Sequence, residues 1–404
     1  MSLVNPELQK ERAEFNLAIF VVATLAYNLI TLTVNMVMGI FLPNTPIDTV
    51  LCLLIYLYLL FRALPTMIKR ISVKDFIFIL LIAVLILLSM LKEENFSYIF
   101  DSLSLFPKVI LYYFVGRSVL NDSYIEKLMF KATPYVIFAS FILFFLIALF
   151  AETQNEDNMS LAYYLLPFTI FSAFKMIKVK EKRLFNIAVF IGALFLQIWT
   201  GTRGPLICLF VAMALYILIN PGRARTKFLF ALIVVAVIAF LSSNIFTELM
   251  QDLSAYLGKI GVSNRIVDKF LEEELLDTSG RDNIAEKILL AIKESPLFGY
   301  GFFGDRAFLN GQYCHNIFYE FLINFGILFG GIMFISLVGL LVVSLFRRKE
   351  NPALFLMLLC AGFVKLFLSS SYIIEPMFFM LLGTTFRKNN AKQDTIKPRS
   401  RKCC

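Results

Sequence analysis

Histidine and tryptophan are nearly absent from this sequence, which has one of each among its 404 residues. Its six cysteines are scattered, and Cys52, Cys208 and Cys360 fall inside apolar stretches. No metal-ligand spacing and no paired-cysteine framework occurs along the sequence. The sequence therefore predicts neither a metal site nor a disulfide scaffold.

Charged residues are also scarce. They make up 17% of the chain, whereas hydrophobic residues make up 59%, including 44 phenylalanines, and the mean hydropathy is +0.77. This usage excludes a soluble globular domain. A helix needs about 17 to 25 apolar residues to cross a hydrocarbon core of about 30 Å. We predict an all-α integral membrane protein with about twelve transmembrane helices, near residues 15–40, 47–64, 74–91, 98–115, 128–151, 160–174, 184–201, 204–219, 226–243, 316–345, 353–369 and 372–386.

The basic residues alternate along the chain in a way that predicts the topology. Most of the 38 lysines and arginines fall in every second connecting segment and in the two termini, as expected for cytoplasmic segments. The short connectors on the other side contain only Lys92 and Arg203. This pattern predicts that both termini are cytoplasmic. It also explains the net charge of +9 without a nucleic-acid partner.

One long polar segment interrupts the apolar stretches. The predicted organisation has four parts, which are transmembrane helices 1–9 in residues 1–243, a large extracytoplasmic loop in 244–315, helices 10–12 in 316–386 and a basic cytoplasmic tail in 387–404. Within the loop, apolar residues at helical spacing predict a helix from Asp282 to Ser295, with Ser279 as its N-cap. Arg281 then lies in the first turn, where free backbone N–H groups favour an anion. A solvated arginine paired with a neighbouring aspartate is the alternative interpretation.

The segment Gly299 to Gly304 matches the dinucleotide-binding pattern G-x-G-x-x-G. That fingerprint requires a preceding strand and a following helix, whereas a predicted helix and Pro296 precede it here. We therefore discount nucleotide binding and predict a flexible glycine turn near the bilayer surface or a lipid headgroup.

Two further residues on the predicted outer side suggest chemistry. Arg203 lies in a tight connector, and its planar guanidinium suits a pyrophosphate; the alternative is an interfacial arginine that meets lipid phosphate. His315 begins the tenth predicted span, with Glu320 five residues later. A histidine can act as a base near neutral pH; the alternative is a hydrogen-bonded interfacial side chain.

Charged residues also occur inside or at the edge of apolar stretches. Lys108 and Lys365 lie within predicted spans, and Glu375 lies near the outer edge of the last one. Such charges usually face a bundle interior or a water-filled cavity, although Lys365 is close enough to an end to snorkel. They keep a transporter interpretation open.

Five short motifs together resemble a known family. Taken in order, Thr200–Gly204, Ser279–Arg281, Ser295–Gly301, His315–Asn316 and Gly326–Gly330 are similar to motifs of the bacterial O-antigen polymerase and O-antigen ligase superfamily. The resemblance implies a GT-C-like glycosyltransferase in the bacterial cytoplasmic membrane. It implies no cofactor, no metal and no nucleotide sugar.

The resemblance also implies substrates and site residues. Donor and acceptor are oligosaccharides on undecaprenyl pyrophosphate at the outer face, and the expected partners are membrane lipids, a flippase and a chain-length regulator. Arg203 and Arg281 are expected to hold the donor pyrophosphate, and His315 is expected to be the general base. Nothing beyond these three residues is carried over from the family, and Arg265, Lys108, Tyr300 and Glu320 are our own additional predictions for the cavity wall.

Three functions are considered, of which we predict the first, with the other two as alternatives. The first is a polymerase that joins lipid-linked repeat units into surface polysaccharide. The second is a ligase that transfers a finished glycan to a terminal acceptor, which would use the same donor and base. The third is a flippase or transporter for lipid-linked sugars, although the halves of the sequence show no convincing repeat.

Overall fold

The computed structural model describes residues 6–41, 47–150, 155–200, 202–220, 281–348 and 350–387, together with residues 248, 251–252 and 255. Within these ranges the regular structure is helical and no strand occurs, which confirms the all-α prediction. Several sequence predictions lie outside them: the span at 226–243, Ser279, Arg265, nearly all of the first part of the loop, 244–280, and nearly all of the basic tail.

The helices follow one another with short connectors. The first group is α1 Pro6–Phe41, α2 Ile47–Ile68, α3 Val73–Met90, α4 Glu93–Ser102, α5 Phe106–Ser118, α6 Asp122–Phe150, α7 Asn155–Lys178, α8 Arg183–Trp199 and α9 Arg203–Ile219. The second group is α10 Arg281–Glu294, α11 Gly304–Phe308, α12 Ile317–Phe325, α13 Gly331–Arg347, α14 Ala353–Leu358 and α15 Pro376–Phe386. A 3-10 turn joins α4 to α5, a π turn joins α12 to α13, and α14 continues through Leu359–Phe363 and Val364–Phe367.

Length and composition identify candidate membrane spans among these helices. In the described part of the chain, seven segments are long and apolar enough to cross a bilayer: Gln9–Val34, Val50–Ile68, Val73–Met90, Glu93–Ser118, Asp122–Phe145, Ser160–Lys178 and Ile317–Arg347. Four shorter apolar helices are Arg183–Trp199, Arg203–Ile219, Ala353–Phe367 and Pro376–Phe386. Every predicted stretch except 226–243 thus falls on a described helix. The chain is a polytopic membrane protein, and the count of twelve spans stays a prediction.

The helices sort their apolar residues between a protein core and an outer surface. Phe20 of α1 and Phe168 and Phe171 of α7 are fully buried, whereas Leu80 of α3 and Ile335 of α13 are more than half exposed. Large exposed apolar side chains along whole helices are stable when they face lipid. The helices α2, α3 and α13 therefore have lipid-facing surfaces, and α1, α7 and α15 are central.

Ion pairs join helices at the ends where the sequence places its basic residues. Arg70 pairs with Glu14, Arg117 with Asp75 at 2.8 Å, and Arg387 with Asp122 at 2.8 Å. These side chains are mostly buried, so each pair ties two helices together. The basic residues here therefore fix which helices meet, in addition to indicating the topology.

Glycine allows α5 and α15 to approach each other closely. A Cβ added at Gly116 would overlap with the carbonyl oxygen of Met380, and one at Gly383 would overlap with that of Tyr113. Small residues let membrane helices pack backbone against backbone. The α5–α15 contact is therefore fixed by residues that have no side chain.

Gly116→Ala is expected to destabilise the protein by about 1–3 kcal/mol, because overpacking a close contact forces the backbones apart. The midpoint of thermal unfolding in detergent measures this effect. Gly339→Ala in α13 is the matched control, since a Cβ there meets nothing within 4 Å. Equal midpoints for the two variants would contradict the proposed contact.

The last two apolar segments, predicted as the spans 353–369 and 372–386, are separated by a longer connection than predicted. The first ends at Phe367, and the second begins only at Pro376. Between them, Ser369, Ser371 and Glu375 are buried in irregular backbone. Irregular backbone at membrane depth is stable only where protein encloses it or where it lines a cavity. The turn is thus a buried structural element, which we call the 368–375 turn.

Candidate functional site

His315 lies in a turn immediately before α12, at the predicted boundary between the large loop, 244–315, and the tenth span, 316–345. Its φ is +54°, in the left-handed region. Asn316 is the N-cap of α12, and its Oδ1 accepts a hydrogen bond from the Phe318 N–H at 3.0 Å. Because the N-cap fixes where the helix begins, His315 is placed just outside its first turn.

A buried ion pair lies beside this turn. Asp305 and Arg306 are adjacent in α11 and only 0% and 4% exposed; they pair with each other. The second partner of Asp305 is the Cys314 N–H, which donates to Oδ2 at 3.1 Å. Burial raises the pKa of Asp305, and the adjacent guanidinium of Arg306 offsets part of that rise.

Aromatic rings extend this pair toward the histidine. The guanidinium of Arg306 lies 5.3 Å from the ring centroid of Phe303 and 5.4 Å from that of Tyr313. The Tyr313 ring in turn lies 4.1 Å from the His315 ring. Burial also raises the pKa of the Cys314 thiol well above its ordinary value, which favours the thiol over the reactive thiolate.

Glu320 connects α12 to the 368–375 turn. It is 1% exposed, and it accepts hydrogen bonds from the Ser371 hydroxyl and from the Tyr372 N–H, the latter at 3.2 Å. Asn324, one turn later, donates to the Tyr372 hydroxyl at 3.0 Å. Glu320 is therefore enclosed by protein and holds the turn in place. The place of Glu320 in a cavity wall stays a prediction.

Arg203 is the first residue of α9, and it is exposed. The next residue, Gly204, is packed so closely that a Cβ would overlap with the Tyr163 hydroxyl and would lie 3.8 Å from Leu368. The connector that carries Arg203 thus meets α7 and the beginning of the 368–375 turn. The helix start fixes the backbone of Arg203 while its side chain remains accessible.

The intramembrane charges gather at the same turn. Lys365 pairs with Glu375, and its Nζ lies 4.6 Å from the ring centroid of Tyr163. Lys365 is therefore held inside the protein and does not snorkel. Lys108 of α5 is within electrostatic range of both Lys365 and Glu375, and it is itself exposed. The two predicted intramembrane lysines are thus brought together with Glu375.

Arg281 begins α10, as the motif predicted within one residue. The described part of the structure gives its backbone position but not its side chain, and Arg265 lies outside the described residues. The helix α10 contacts α11 and α12. The helix that begins at Arg281 thus packs against the two helices on either side of the His315 turn.

Tyr300 has a structural role in this assembly. Its N–H donates to the Ile323 carbonyl at 2.8 Å, and its hydroxyl donates to the Ala291 carbonyl at 3.2 Å. Lys92 lies over the ring, with Nζ 5.4 Å from the centroid. Tyr300 therefore ties α10 to α12, and its predicted place in a cavity wall stays untested.

The neighbouring glycines serve close packing rather than flexibility. Gly299 and Gly301 have φ of +63° and +84°. A Cβ at Gly299 would overlap with backbone of residues 323–326, and one at Gly301 would lie 2.7 Å from the Ser89 hydroxyl. A helix, α10, precedes this segment, so the context that a dinucleotide-binding motif requires is absent from this described region.

The segment that contains Lys365 connects the part of the candidate site near Arg203 to the part near His315. Residues Val364–Phe367 contact both α9, which begins with Arg203, and α12, which follows His315. The sequence identified His315, Arg203, Lys108 and Lys365 individually. Sequence reasoning did not identify Asp305 and Arg306. The signal that could have identified them is a pair of adjacent, opposite charges between aromatic residues.

Comparison with known proteins gives one family match. Residues 187–335 match the family model described as O-antigen ligase. No curated protein matches the chain. The matched region contains Arg203, Arg265, Arg281, Tyr300, His315 and Glu320, whereas Lys108, Lys365 and Glu375 lie outside it.

Proposed function

Because the chain carries an O-antigen ligase domain over residues 187–335, which confirms its resemblance to the O-antigen polymerase and ligase superfamily, we propose that it polymerises lipid-linked oligosaccharide repeat units into surface polysaccharide. Members of this family are glycosyltransferase-like enzymes that act on lipid-linked glycans. The observation that carries the proposal is that His315 and Arg203 both lie in the matched region, and that the helices beginning beside them, α12 and α9, both contact residues 364–367.

The donor is an oligosaccharide on undecaprenyl pyrophosphate, and the acceptor is a sugar hydroxyl of a second lipid-linked chain. His315 removes the proton from this hydroxyl, and the oxygen attacks the anomeric carbon with inversion. The bond from that carbon to the pyrophosphate oxygen breaks, and polyprenyl pyrophosphate leaves with the bonding electrons. The proton stays on His315 until solvent takes it up. No covalent enzyme intermediate is required.

Arg203 and Arg281 neutralise the charge that grows on the departing pyrophosphate. Guanidinium groups bind phosphate oxygens through paired hydrogen bonds, and such groups accelerate a reaction when they are already in place. Arg203 supports this role because its backbone is fixed at a helix start while its side chain is exposed. Arg281 supports it because α10 begins there and packs against α12.

The cavity wall is proposed to include Lys108, whose exposed cation lies near Lys365 and Glu375. Tyr300 and Glu320 support the wall from behind, since both use their polar atoms within the protein. Arg265 completes the proposed set. A single exposed cation beside a neutral ion pair suits an anionic headgroup.

The site is proposed to face outward from the bacterial cytoplasmic membrane, with both termini cytoplasmic. The alternation of basic residues supports this orientation. An outward site would receive substrate from a flippase and would fit a separate regulator of chain length.

The experiment that tests the function is a gene deletion in the source organism, complemented with wild type or with the His315→Ala variant. Glycan length is measured on gels, and the lipid-linked intermediates are identified by mass spectrometry. Accumulation of single repeat units at the outer leaflet supports the polymerase. Long polymer that remains on its lipid carrier would indicate the ligase instead.

The flippase alternative predicts a different intermediate. Repeat units trapped at the cytoplasmic leaflet would replace the enzyme proposal with transport. The exposed Lys108 near the Lys365–Glu375 pair is the observation that favours transport, because intramembrane charges often line translocation paths.

A further inference from the structure

The backbone of His315 lies in the left-handed region, with φ of +54°. Non-glycine residues are uncommon there, although histidine tolerates this region better than most. Such residues persist when the surrounding structure fixes them. Within the described residues, the N-cap at Asn316 fixes the turn on one side, so the contacts on the other side decide where the imidazole lies.

The other side is held by Asp305. Its Oδ2 accepts a hydrogen bond from the N–H of Cys314, the residue directly before His315. The carboxylate is completely buried and is charge-balanced by Arg306, which is also buried. A buried ion pair in a five-residue helix contributes little net stability. Stability alone is therefore a weak explanation for the presence of this pair.

Arg306 reaches the histidine side chain through one aromatic ring. The Tyr313 ring has the guanidinium 5.4 Å from its centroid and the imidazole centroid 4.1 Å away. The Phe303 ring lies 5.3 Å from the same guanidinium. Arg306 is thus held between two rings, and one of these rings contacts His315.

We propose that Asp305, Arg306 and Tyr313 are positioning residues for His315. Asp305 fixes the backbone through the Cys314 N–H, and Arg306 fixes the ring of Tyr313, against which the imidazole rests. The inference rests on the proposed function only in that His315 is the general base. None of the three residues is assigned a contact with substrate.

Tyr313 gives the sharpest test, because changing it leaves the buried ion pair intact. In Tyr313→Leu the ring that contacts both Arg306 and His315 is lost, whereas Tyr313→Phe keeps the ring and loses only the hydroxyl. Misplacing a catalytic group by about 1 Å can cost about a hundredfold in rate. We expect kcat to fall by about tenfold to a hundredfold in Tyr313→Leu, with KM within about twofold, and Tyr313→Phe to match wild type.

A spectroscopic measurement separates positioning from loss of stability. The sequence contains a single histidine, so full-length protein purified without a histidine tag and labelled with ¹⁵N-histidine gives NMR signals from His315 alone. We expect the signals to shift or broaden in Tyr313→Leu and to return in Tyr313→Phe. Phe298→Leu is the control for losing an aromatic ring, since Phe298 is exposed and stacks on Phe329.

Two results would overturn the inference. One is wild-type kcat in Tyr313→Leu, and the other is an unchanged His315 signal in that variant. A raised KM with unchanged kcat counts against it as well, because it would place Tyr313 in contact with substrate. Arg306→Lys adds an independent arm: a loss of kcat is expected, since lysine keeps the charge but not the planar group that fits between two rings.

Failure of the positioning inference can be distinguished from failure of the proposed function. If His315→Ala remains active, His315 is not the base, and the proposed mechanism fails whatever the Tyr313 variants do. If His315→Ala is inactive while Tyr313→Leu has normal turnover and normal histidine signals, only the positioning inference fails.

Discussion

Replacing His315 with alanine is expected to abolish polymer formation, with a fall in turnover of about 10²–10⁴-fold. Without the imidazole no group in the described turn accepts the hydroxyl proton, because Cys314 is buried and Asn316 uses its Oδ1 to cap α12. The measurement is release of polyprenyl pyrophosphate by purified protein supplied with lipid-linked repeat units. Donor binding is expected to be nearly unchanged, since the loss concerns proton transfer.

Gln312→Ala is the matched control for this change. Gln312 lies in the same loop and is exposed, so its loss reports any general effect of altering the loop surface. We expect wild-type turnover in this variant. Full activity of His315→Ala beside an active Gln312→Ala would end the general-base proposal, and equal losses in both would assign the effect to the loop.

Arg203→Ala is expected to lower turnover by about 10²–10³-fold, the usual effect of removing one group that stabilises developing negative charge. Arg203→Lys is expected to lie between this variant and wild type, because lysine retains the charge but not the paired donors of guanidinium. The measurement is again pyrophosphate release, with the donor concentration varied. A loss mainly in kcat indicates that Arg203 acts on the leaving group, whereas a loss mainly in KM indicates donor binding.

Arg183 offers a close control for Arg203. Like Arg203, it is the first residue of a helix, α8, and it is exposed. The far end of α8 leads to Arg203, so Arg183 and Arg203 lie at opposite ends of α8. Arg183→Ala is therefore expected to be fully active. If the two alanine variants lose the same activity, a specific role for Arg203 in holding pyrophosphate is contradicted.

Much of the helical architecture was predictable from hydropathy alone. Apolar stretches such as that of α3 have no other stable state in a bilayer, and the predicted boundaries of α3, α8 and α9 agree with the helices within two residues, whereas α1 and α6 begin well before their predicted spans. Arg203 and His315 were recognisable because a charge or a lone histidine in a short connector is unusual. Their roles came from motif order and not from periodicity.

The contacts between distant segments were not predictable in the same way. Hydropathy gives the depth of a residue in the membrane but not the direction in which its helix face points. The hydrogen bonds from Ser371 and Tyr372 to Glu320, and the ring contacts of Arg306, join segments whose approach depends on the packing of whole helices. The 368–375 turn was misread because its buried serines and tyrosine look like a short connector followed by a span.

The glycine contacts of α15 determine which parts of the protein can move relative to each other. Gly116 and Gly383 join α5 and α15 backbone to backbone, and a Cβ at Gly362 would lie 2.7 Å from the Met377 carbonyl. Backbones that are packed this closely cannot slide past each other unless they first move apart. The helices α5 and α15 and the segment around Gly362 therefore behave as one rigid body. Lys108 and the Lys365–Glu375 pair travel with that body. Any conformational change that leaves these contacts intact must therefore occur outside that body.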